Sequence, residues 1–219
     1  QDTKIKSISL GSDHSLFLNQ KGQVLSCGNN EYGQLGQGDK NNRSTATLIS
    51  SLVGNNIVSI HAFGNTSLVI DQQSLVHSFG DNQFGQGALD HFTTPILSAQ
   101  VVPYFKSHKI QQLFSNSMAQ HAFAILMDRT LVAWGINEFH QLGVSHNESI
   151  CTPTQVSTLA HNVSDLVQIV CGGFHTLALF KNGSVWSVGD NQYFQCGTDS
   201  EEIKKTWTQV VGINKGRVV

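Results

Sequence analysis

The chain has 219 residues, of which 39% are hydrophobic and 13% are charged, and its formal net charge is −2 at pH 7. This length and hydrophobic content are enough for one domain with a sizeable core. The slightly acidic balance argues against direct binding of nucleic acid, because such binding needs a concentrated basic surface.

Two short phrases recur four times along the chain. The first begins with a glycine, and its copies are 52, 55 and 54 residues apart, at Gly28, Gly80, Gly135 and Gly189. The second phrase keeps the same spacing and begins at His14, Thr66, His121 and His175. Both phrases repeat with the same spacing of about fifty residues. Such a period predicts supersecondary units that are stacked on one another. The predicted repeats are residues 5–56, 57–109, 110–165 and 166–219.

Within each unit, apolar runs of four to six residues alternate with glycine, asparagine, aspartate or lysine, which is typical of strands and hairpin turns. In the fourth unit the predicted strands are, in chain order, Leu166–Cys171, Thr176–Phe180, Val185–Val188 and Gln209–Val211. Between the second and third of them, Asn182-Gly183 predicts a primed hairpin turn. Four short antiparallel strands per unit, repeated radially, predict an all-β propeller of four blades.

The glycine-rich phrase has a mechanical explanation. Its glycines permit backbone angles closed to other residues. We expect its aromatic residues to fill gaps between neighbouring blades. They are Tyr32, Phe84, Phe139 and Tyr193. The phrase lacks the Gly-Lys-Ser/Thr ending and the following helix of a phosphate-binding loop, so a nucleotide site is not predicted.

The phrase Cys27-Gly28-Asn29-Asn30-Glu31-Tyr32-Gly33-Gln34-Leu35-Gly36, preceded by Ile8–Gly11, His14-Ser15-Leu16 and Gly22-Gln23-Val24, resembles the repeat of the regulator of chromosome condensation family. All four units share it. The resemblance implies a β-propeller whose best-known member is the exchange factor for the small GTPase Ran. Other members are ubiquitin-ligase modules, photoreceptors and membrane-traffic scaffolds, so the fold alone does not decide the function.

The family archetype has seven blades, whereas this sequence supplies four. The units therefore form either a small closed ring or a partial propeller. Closure requires a C-terminal strand paired with the first blade, and Thr206–Val211 is the candidate. An open arc exposes a blade face, which favours further repeats or a partner.

No catalytic, cofactor or metal site is predicted. The ten histidines show no zinc-binding spacing on a helix, and no serine lies in a nucleophile elbow. His14, His121 and His175 share one repeat position, where we expect them to hydrogen-bond the adjacent turn. Four cysteines without C-x-x-C pairing indicate reduced thiols in a cytosolic setting. Covalent catalysis and hydrolysis are not expected.

The resemblance implies that residues beside the repeat histidine line the face that meets a GTPase. The corresponding partner-binding candidates are Asp13, His14, Asn65, Thr66, Gln120, His121, Phe174 and His175. The first hypothesis is therefore a regulator of a Ran-like GTPase that acts as a guanine-nucleotide exchange factor. The Asn- and Gln-rich composition suggests a bacterial effector that reaches host Ran. The expected location is the cytoplasm or nucleus, or the host cytosol for an effector, and the sequence contains no predicted transmembrane segment.

The alternative hypothesis is a non-catalytic scaffold for another protein partner. Its contact loops would be Asn41–Ser44, His91–Thr94, Ser145–Ile150 and Thr198–Lys204. A third interpretation, a plant-type ultraviolet sensor, needs clustered tryptophans, but the chain has only Trp134, Trp186 and Trp207 and lacks the phrase Gly-Trp-Arg-His-Thr. An exchange factor binds the nucleotide-free GTPase selectively, whereas a scaffold ignores the nucleotide state.

Overall fold

The computed structural model describes residues 4–159 and 161–213 and confirms an all-β fold built from four-stranded antiparallel sheets. Each sheet is one blade and takes its four strands from consecutive chain. Blade one contains β1 (Ile5–Leu10), β2 (His14–Asn19), β3 (Val24–Gly28) and β4 (Arg43–Leu48). Blade two contains β5 (Ile57–Phe63), β6 (Thr66–Asp71), β7 (Val76–Gly80) and β8 (Ile96–Val101). Blade three contains β9 (Ile110–Phe114), β10 (His121–Leu126), β11 (Leu131–Gly135) and β12 (Ile150–Gln155). Blade four contains β13 (Leu166–Cys171), β14 (His175–Phe180), β15 (Val185–Gly189) and β16 (Lys204–Gln209).

Short 3-10 turns precede the first strand of the second, third and fourth blades. They span Ser50–Leu52, Tyr104–Lys106 and Val163–Asp165. The first strands of all four blades line one open central groove of about 440 Å³. Within the described residues, no helix is long and apolar enough to cross a membrane.

The C-terminal strand does not make the pairing with the first blade that the closed-ring alternative requires. Strand β16 pairs with β15 of its own blade, with Thr208 opposite Ser187 and Lys204 opposite Gly189. In the described parts of the chain, every strand pairs inside its own blade. Closure through Thr206–Val211, the segment that the closed-ring alternative would use, is therefore not found, because residues 206–209 belong to the outer strand of the fourth blade.

Two local predictions in blade four are also corrected. The outer strand begins at Lys204 and ends at Gln209, earlier than the predicted Gln209–Val211. Lys204 and Lys205, which the sequence places in or beside a loop, are therefore the first two residues of this strand. In the hairpin, Gly183 has a positive φ of 79°, whereas Asn182 does not. The Asn182 side chain instead accepts a hydrogen bond of 2.9 Å from the backbone N–H of Ser184, so the turn is not a primed type.

Each blade has two faces. The leading face is turned towards the preceding blade and the trailing face towards the following one, and alternate residues of a strand point to opposite faces. In blade one, His14, Leu16 and Leu18 lie buried on the trailing face against blade two. In blade two, Ser67 and Val69 lie buried on the leading face against blade one. A blade joint is therefore the contact between one trailing face and the next leading face.

Candidate functional site

The candidate residues lie where the first strand of each blade turns into the second. These turns are residues 11–13, 64–65, 115–120 and 172–174. We call this end of the blades the turn face. The loops from the third to the fourth strand start from the same end, because β3, β7, β11 and β15 run back towards it. The turn face is therefore formed by four inner turns and four outer loops.

The leading glycine of the repeated phrase fixes the backbone of each turn. Gly28 has a φ of 109°, and a Cβ atom there would lie 2.4 Å from the carbonyl oxygen of Asp13. The next residue, Asn29, donates its N–H to that same carbonyl at 2.8 Å. The other three blades repeat both features at Asn65, Gln120 and Phe174. Only glycine tolerates this approach, so the phrase positions the turn.

The first three turns are also joined to one another. Ser12 donates its N–H to the carbonyl of Gly64 at 2.8 Å, and Gly64 donates to the carbonyl of Ser117 at 3.0 Å. The Ser12 hydroxyl also donates to Ser117 at 3.1 Å. These bonds fix the relative positions of three blades at the turn face.

The eight predicted residues separate into two classes. The first member of each pair reaches solvent: Asp13 and Phe174 are exposed, and Asn65 and Gln120 are half-buried. The second member lies on the trailing face of its blade: His14, Thr66 and His121 are buried there, and His175 of the last blade is half-buried. Strand alternation causes this division. The turn face therefore displays four different residues: one carboxylate, two carboxamides of different length and one aromatic ring.

The buried histidines take part in the first and third joints. His14 Nε2 lies 2.8 Å from Ser67 Oγ in the next blade, and Ser67 donates its proton to the carbonyl of Gln34 at 2.8 Å. Because that hydroxyl is already donating, Nε2 of His14 must carry the proton that it accepts. The expected bond from histidine to its adjacent turn is therefore wrong, since the ring bonds the neighbouring blade.

The third joint repeats this arrangement. His121 Nε2 lies 2.9 Å from Thr176 Oγ1, which donates to the carbonyl of Gln141 at 2.8 Å. We call each chain of histidine, hydroxyl and glutamine carbonyl a relay. Burial lowers the pKa of His14 to about 4 and that of His121 to about 3, so both rings are neutral.

The second joint is built differently. Thr66 replaces the histidine and donates its hydroxyl to Asp81 in its own blade at 2.7 Å. Ala122 stands where the neighbouring blades have a hydroxyl. The carbonyl of Gln86 instead accepts a 3.0 Å hydrogen bond from Nε1 of the fully buried Trp134. The histidine and its hydroxyl partner are thus absent together from this joint.

The asparagines that follow the leading glycines, with one residue between them, support the outer loops from inside. Asn30 accepts from the N–H of Leu35 at 2.9 Å and donates to the carbonyl of Asp39 at 2.8 Å. Its equivalents in the other blades make the same two kinds of bond and are also fully buried. They are Asn82, Asn137 and Asn191. The glycine-rich phrase therefore acts as a structural support for the turn face.

Two features of the turn face were missed at the sequence level. The third turn has six residues, 115–120, and carries Met118, whose side chain is 69% exposed. The 55-residue spacing that separates Thr66 from His121 was the available signal. Exposed Glu31 and Glu138 were also missed; each follows by two residues a backbone N–H, of Asn29 or Ile136, that bonds the turn carbonyl of Asp13 or Gln120 at 2.8 or 3.0 Å.

The predicted interblade aromatic contact occurs at the third joint. Phe139 packs against Phe174 of the next blade with ring centroids 5.2 Å apart. Its equivalent in blade four, Tyr193, is 79% exposed. The tryptophans pack against separate aromatic partners: Trp134 against Phe105, Trp186 against His161 and Trp207 against Phe123. All three therefore contribute to packing.

The candidates for metal ligation in the part of the chain that is described are its His, Cys, Asp and Glu side chains. There, no three His, Cys, Asp or Glu side chains are grouped as metal ligands would be. All four cysteines are free thiols. Burial raises the pKa of Cys196 to about 11 and that of Cys171 further, so neither is a thiolate near neutral pH.

Comparison with protein families gives two overlapping matches. A model described as "Regulator of chromosome condensation (RCC1) repeat" matches residues 21–70 and 130–179. A second model of the same description matches residues 5–34 and 166–195. Together they include residues 5–70 and 130–195, more than half of the chain, and contain all or part of each of the four blades.

Individual relatives agree with these matches. The ultraviolet-B receptor UVR8 of Arabidopsis thaliana is 26% identical over 95% of this chain and 46% of its own length. The crystal structure of human WBSCR16 superposes with a TM-score of 0.78 at 23% identity, over 96% of this chain and 54% of that one. Prp20p of Saccharomyces cerevisiae, studied for its binding to Gsp1p and histones, gives 0.80 at 17% identity, over 96% and 51%. The chain spans about half the length of each.

Proposed function

Since the chain belongs to the regulator of chromosome condensation repeat family, we propose that its turn face binds a small GTPase of the Ran type and promotes release of the bound nucleotide. The observation that carries this proposal is the division within each candidate pair. The buried member serves the blade joints, while the exposed member differs in every blade: Asp13, Asn65, Gln120 and Phe174. Blade mechanics does not require that variation, whereas recognition of an asymmetric partner does.

Rigidity of the backbone under these side chains supports the proposal. The turn carbonyls accept hydrogen bonds of 2.8 to 3.0 Å from the glycine-rich phrases, and the first three turns bond one another. A surface that is ordered before it meets its partner loses little conformational entropy on binding. Such a surface suits a factor that must hold one conformation of a GTPase.

Charge gives a second reason. The exposed acidic side chains are Asp13, on an inner turn, and Glu31 and Glu138, each two residues after a backbone N–H that bonds such a turn. They favour a partner surface rich in lysine or arginine, and such complementarity raises the association rate more than the affinity. Raising the salt concentration is therefore expected to slow association.

Exchange on this surface needs no covalent step. If the turn face binds the nucleotide-free GTPase more tightly than the loaded form, linkage requires that the nucleotide bind less tightly to the complex. The buried histidines are joint residues in this account, and the exposed turn residues contact the partner. The proposed place of action is the cytoplasm or nucleus, or the host cytosol for a bacterial effector that targets host Ran.

A specific observation favours the scaffold alternative as a second candidate. The outer loops 41–44, 91–94, 145–150 and 198–204 also lie at the turn face; a buried asparagine bonds the last three directly and, in blade one, bonds Asp39 just before the loop. A partner held by these loops needs no change of nucleotide state. The two functions therefore differ in nucleotide preference rather than in location.

The test measures release of fluorescent GDP from purified Ran with and without the chain, together with capture of nucleotide-free and GDP-loaded Ran. We expect faster release and selective capture of the empty form. Phe174→Lys and Gln120→Lys are expected to weaken both effects, because each places a cation where the proposed partner is basic. Met127→Lys is the matched control, since Met127 is 68% exposed at the opposite end of β10.

Capture without nucleotide preference, still reduced by the two turn-face variants, would replace exchange with the scaffold function. Absence of both release and capture would overturn Ran as the partner. Equal loss in Met127→Lys would show that the turn face is not the contact surface.

A further inference from the structure

The end of the blades opposite the turn face is built from two kinds of segment. The hairpins that join the second strand of each blade to the third are residues 20–23, 72–75, 127–130 and 181–184. The described links between blades are residues 49–56, 102–109, 156–159 and 161–165. We call this end the hairpin face. Because its segments lie at the ends of the strands, a blade stacked on either side does not cover them.

Charge is sorted between the two ends of the fold. The inner turns and the loops from the third to the fourth strand carry eleven of the fifteen acidic residues and one lysine, Lys40. The described segments of the hairpin face carry six cationic residues and two acidic ones, Asp128 and Asp165. The cationic residues are Lys4, which precedes β1, Lys21, Lys106, Lys109, Arg129 and Lys181. The net charge of −2 therefore conceals an acidic end and a basic end.

Hydrogen bonds hold the backbone of the hairpin face in all four blades. The first residue of each hairpin donates its N–H to the carbonyl of the residue before the first strand of that blade, at 2.9 to 3.0 Å. The pairs are Gln20 with Lys4, Gln72 with Asn56, Met127 with Lys109 and Lys181 with Asp165. The basic face is therefore ordered before it meets a partner, so binding to it costs little conformational entropy.

Most of the cationic side chains are open to solvent. Five of the six are exposed. Lys181 lies 3.6 Å from the carboxylate of Asp165. Among the residues that the structure describes, no carboxylate lies within ion-pair distance of Lys21, Lys106 or Arg129. These three cations are therefore available to an external anion.

Two apolar side chains stand among the cations. Met127 is 68% exposed and belongs to the same hairpin as Arg129. Val53 is 53% exposed, in the link that meets the first hairpin where Ile57 donates its N–H to the carbonyl of Gly22 at 2.9 Å. Basic side chains beside exposed apolar ones are typical of a protein surface that lies on a bilayer.

We propose that the hairpin face docks on a lipid bilayer that contains anionic headgroups. Its cations meet the negative surface potential, and Met127 and Val53 enter the boundary between headgroups and acyl chains. The acidic end does not oppose this docking, because a six-residue strand such as β10 separates the two ends by about 20 Å. Charges are screened over about 8 Å at physiological salt. The docked chain therefore presents its turn face to the solution.

The hairpin face suits a bilayer better than it suits a nucleic acid or an acidic peptide. Its cations are spread over the ends of blades one, three and four and over the link before blade three. Such a distribution matches a broad layer of charge rather than a single strand or helix. Exposed apolar side chains gain nothing against a phosphate backbone, whereas a bilayer removes them from water.

The experiment measures co-sedimentation of the 219-residue chain with vesicles of phosphatidylcholine alone and of phosphatidylcholine mixed with phosphatidylserine. Binding is expected only to the mixed vesicles and should weaken as the salt concentration rises. The double variant Lys106→Gln with Arg129→Gln is expected to weaken binding about 25-fold, because each cation near the surface contributes about fivefold.

The matched control is the double variant Lys40→Gln with Lys205→Gln. Both lysines are exposed, and they lie in a turn-face loop and at the start of β16, at the acidic end. The two double variants have the same net charge, so only the position of the lost cations differs. The control is expected to bind the mixed vesicles like the unmodified chain.

Met127→Gln distinguishes a bilayer from other anionic partners. It is expected to weaken binding to the mixed vesicles severalfold and to leave any binding to polyglutamate or duplex DNA, measured by fluorescence anisotropy at the same salt, unchanged. All of the substituted side chains are exposed, and circular dichroism checks that each variant is folded.

Three outcomes would overturn the proposal. The first is equal binding, or none, to the two kinds of vesicle. The second is an equal loss of binding in the two double variants. The third is tighter binding to polyglutamate or DNA than to the mixed vesicles, reduced by Lys106→Gln with Arg129→Gln, which would replace the bilayer with that class of partner.

Discussion

The first and third blade joints differ from the second in how they satisfy one buried carbonyl. In the first and third joints, the carbonyls of Gln34 and Gln141 each accept a hydrogen bond from a hydroxyl of the following blade. That hydroxyl accepts a hydrogen bond from a histidine of the preceding blade. In the middle joint, Trp134 reaches the carbonyl of Gln86 directly. A buried acceptor must be paired, but the partner is free to change if the neighbouring positions change with it.

The difference teaches how a repeat tolerates variation. Loss of the histidine at Thr66 leaves no unpaired hydroxyl in the next blade, because Ala122 has none to pair. The large indole of Trp134 also packs against Phe105, with ring centroids 5.5 Å apart. The second joint is therefore more apolar, and the other two depend on neutral imidazoles.

The largest expected effect comes from breaking the middle joint. Trp134→Ala removes a fully buried indole and is expected to lower the free energy of unfolding by about 3 to 5 kcal/mol. Trp134→Phe keeps most of the bulk but leaves the Gln86 carbonyl unpaired, at a cost of about 1 to 3 kcal/mol. Urea unfolding followed by circular dichroism measures both.

Trp186→Phe is the matched control for the middle joint. Trp186 is half-buried, and its N–H donates a longer bond of 3.4 Å to Ser184. We expect its replacement to cost less than Trp134→Phe does. An equal or greater loss would contradict the role of the Trp134 bond to Gln86.

Acid should weaken the first and third joints, and it should also act on His61 of blade two, whose pKa burial lowers to about 4. The pKa values of His14 and His121 are lowered by burial to about 4 and about 3, from 6.5 in the unfolded chain. Their contribution is fully present above pH 6.5 and is lost as the pH falls towards 4, since the unfolded state takes up protons first. Over that window each histidine is expected to cost about 3 kcal/mol, at 1.36 kcal/mol per pH unit.

The measurement is the unfolding free energy between pH 7 and pH 4 for the unmodified chain and for His121→Gln. The glutamine amide keeps a donor for Thr176 but does not titrate, so the pH dependence should become less steep by the share of one histidine. An unchanged slope would show that His121 is not a source of the acid sensitivity.

A smaller effect is expected from removing one hydroxyl of the third relay. Thr176→Val keeps the shape of the side chain but leaves both His121 Nε2 and the Gln141 carbonyl without a partner. We expect a loss of about 2 kcal/mol, because two buried polar groups become unsatisfied. Thr176→Ser restores the hydroxyl and should lose less than half as much. Equal losses would mean that packing of the methyl group, rather than the relay, is what matters.

Repetition made the fold predictable from the sequence. Four copies of one phrase, with alternating apolar runs and turn residues between them, are enough to predict four blades of four strands. The outer strand of blade four was misplaced because Lys204 and Lys205 read as loop, yet an outer strand of a blade has an exposed edge and accepts charge. The primed hairpin was also wrong, because Asn182 uses its side chain to hold the turn.

The candidate pairs were located by analogy, but their division into exposed and buried members was not anticipated. Strand alternation alone predicts that a residue and its neighbour face opposite ways. The relay could also have been predicted by comparing each unit with the next. His14 is followed one unit later by Ser67 and His121 by Thr176, whereas Thr66 is followed by Ala122, which has no hydroxyl. The hydrogen bond from Trp134 to the Gln86 carbonyl could not have been predicted in this way, because it joins residues 48 positions apart that do not occupy equivalent repeat positions.

The smallest expected effect distinguishes the third joint from the first two. Gly33 and Gly85 have positive φ, and a Cβ atom would lie 2.7 Å from the Ile96 carbonyl oxygen or 2.5 Å from Cys151 Cα of the next blade. The same repeat position in blade three is His140, with a φ of 63°. His140→Gly removes a cost of about 1 to 2 kcal/mol for a side chain in the left-handed region. Glycine also makes the unfolded chain more flexible, which lowers the free energy of unfolding by about 0.4 to 1 kcal/mol.

His140→Gly is therefore expected to raise the free energy of unfolding by about 0.5 kcal/mol, the difference of these two terms. Gly85→Ala should do the opposite, because its methyl group meets backbone atoms that cannot move aside. Urea midpoints for the two variants and the unmodified chain, measured side by side, resolve both signs. If His140→Gly instead destabilised the chain, its imidazole would be contributing packing to the third joint that outweighs its backbone strain, and this joint would be as tightly fitted as the other two.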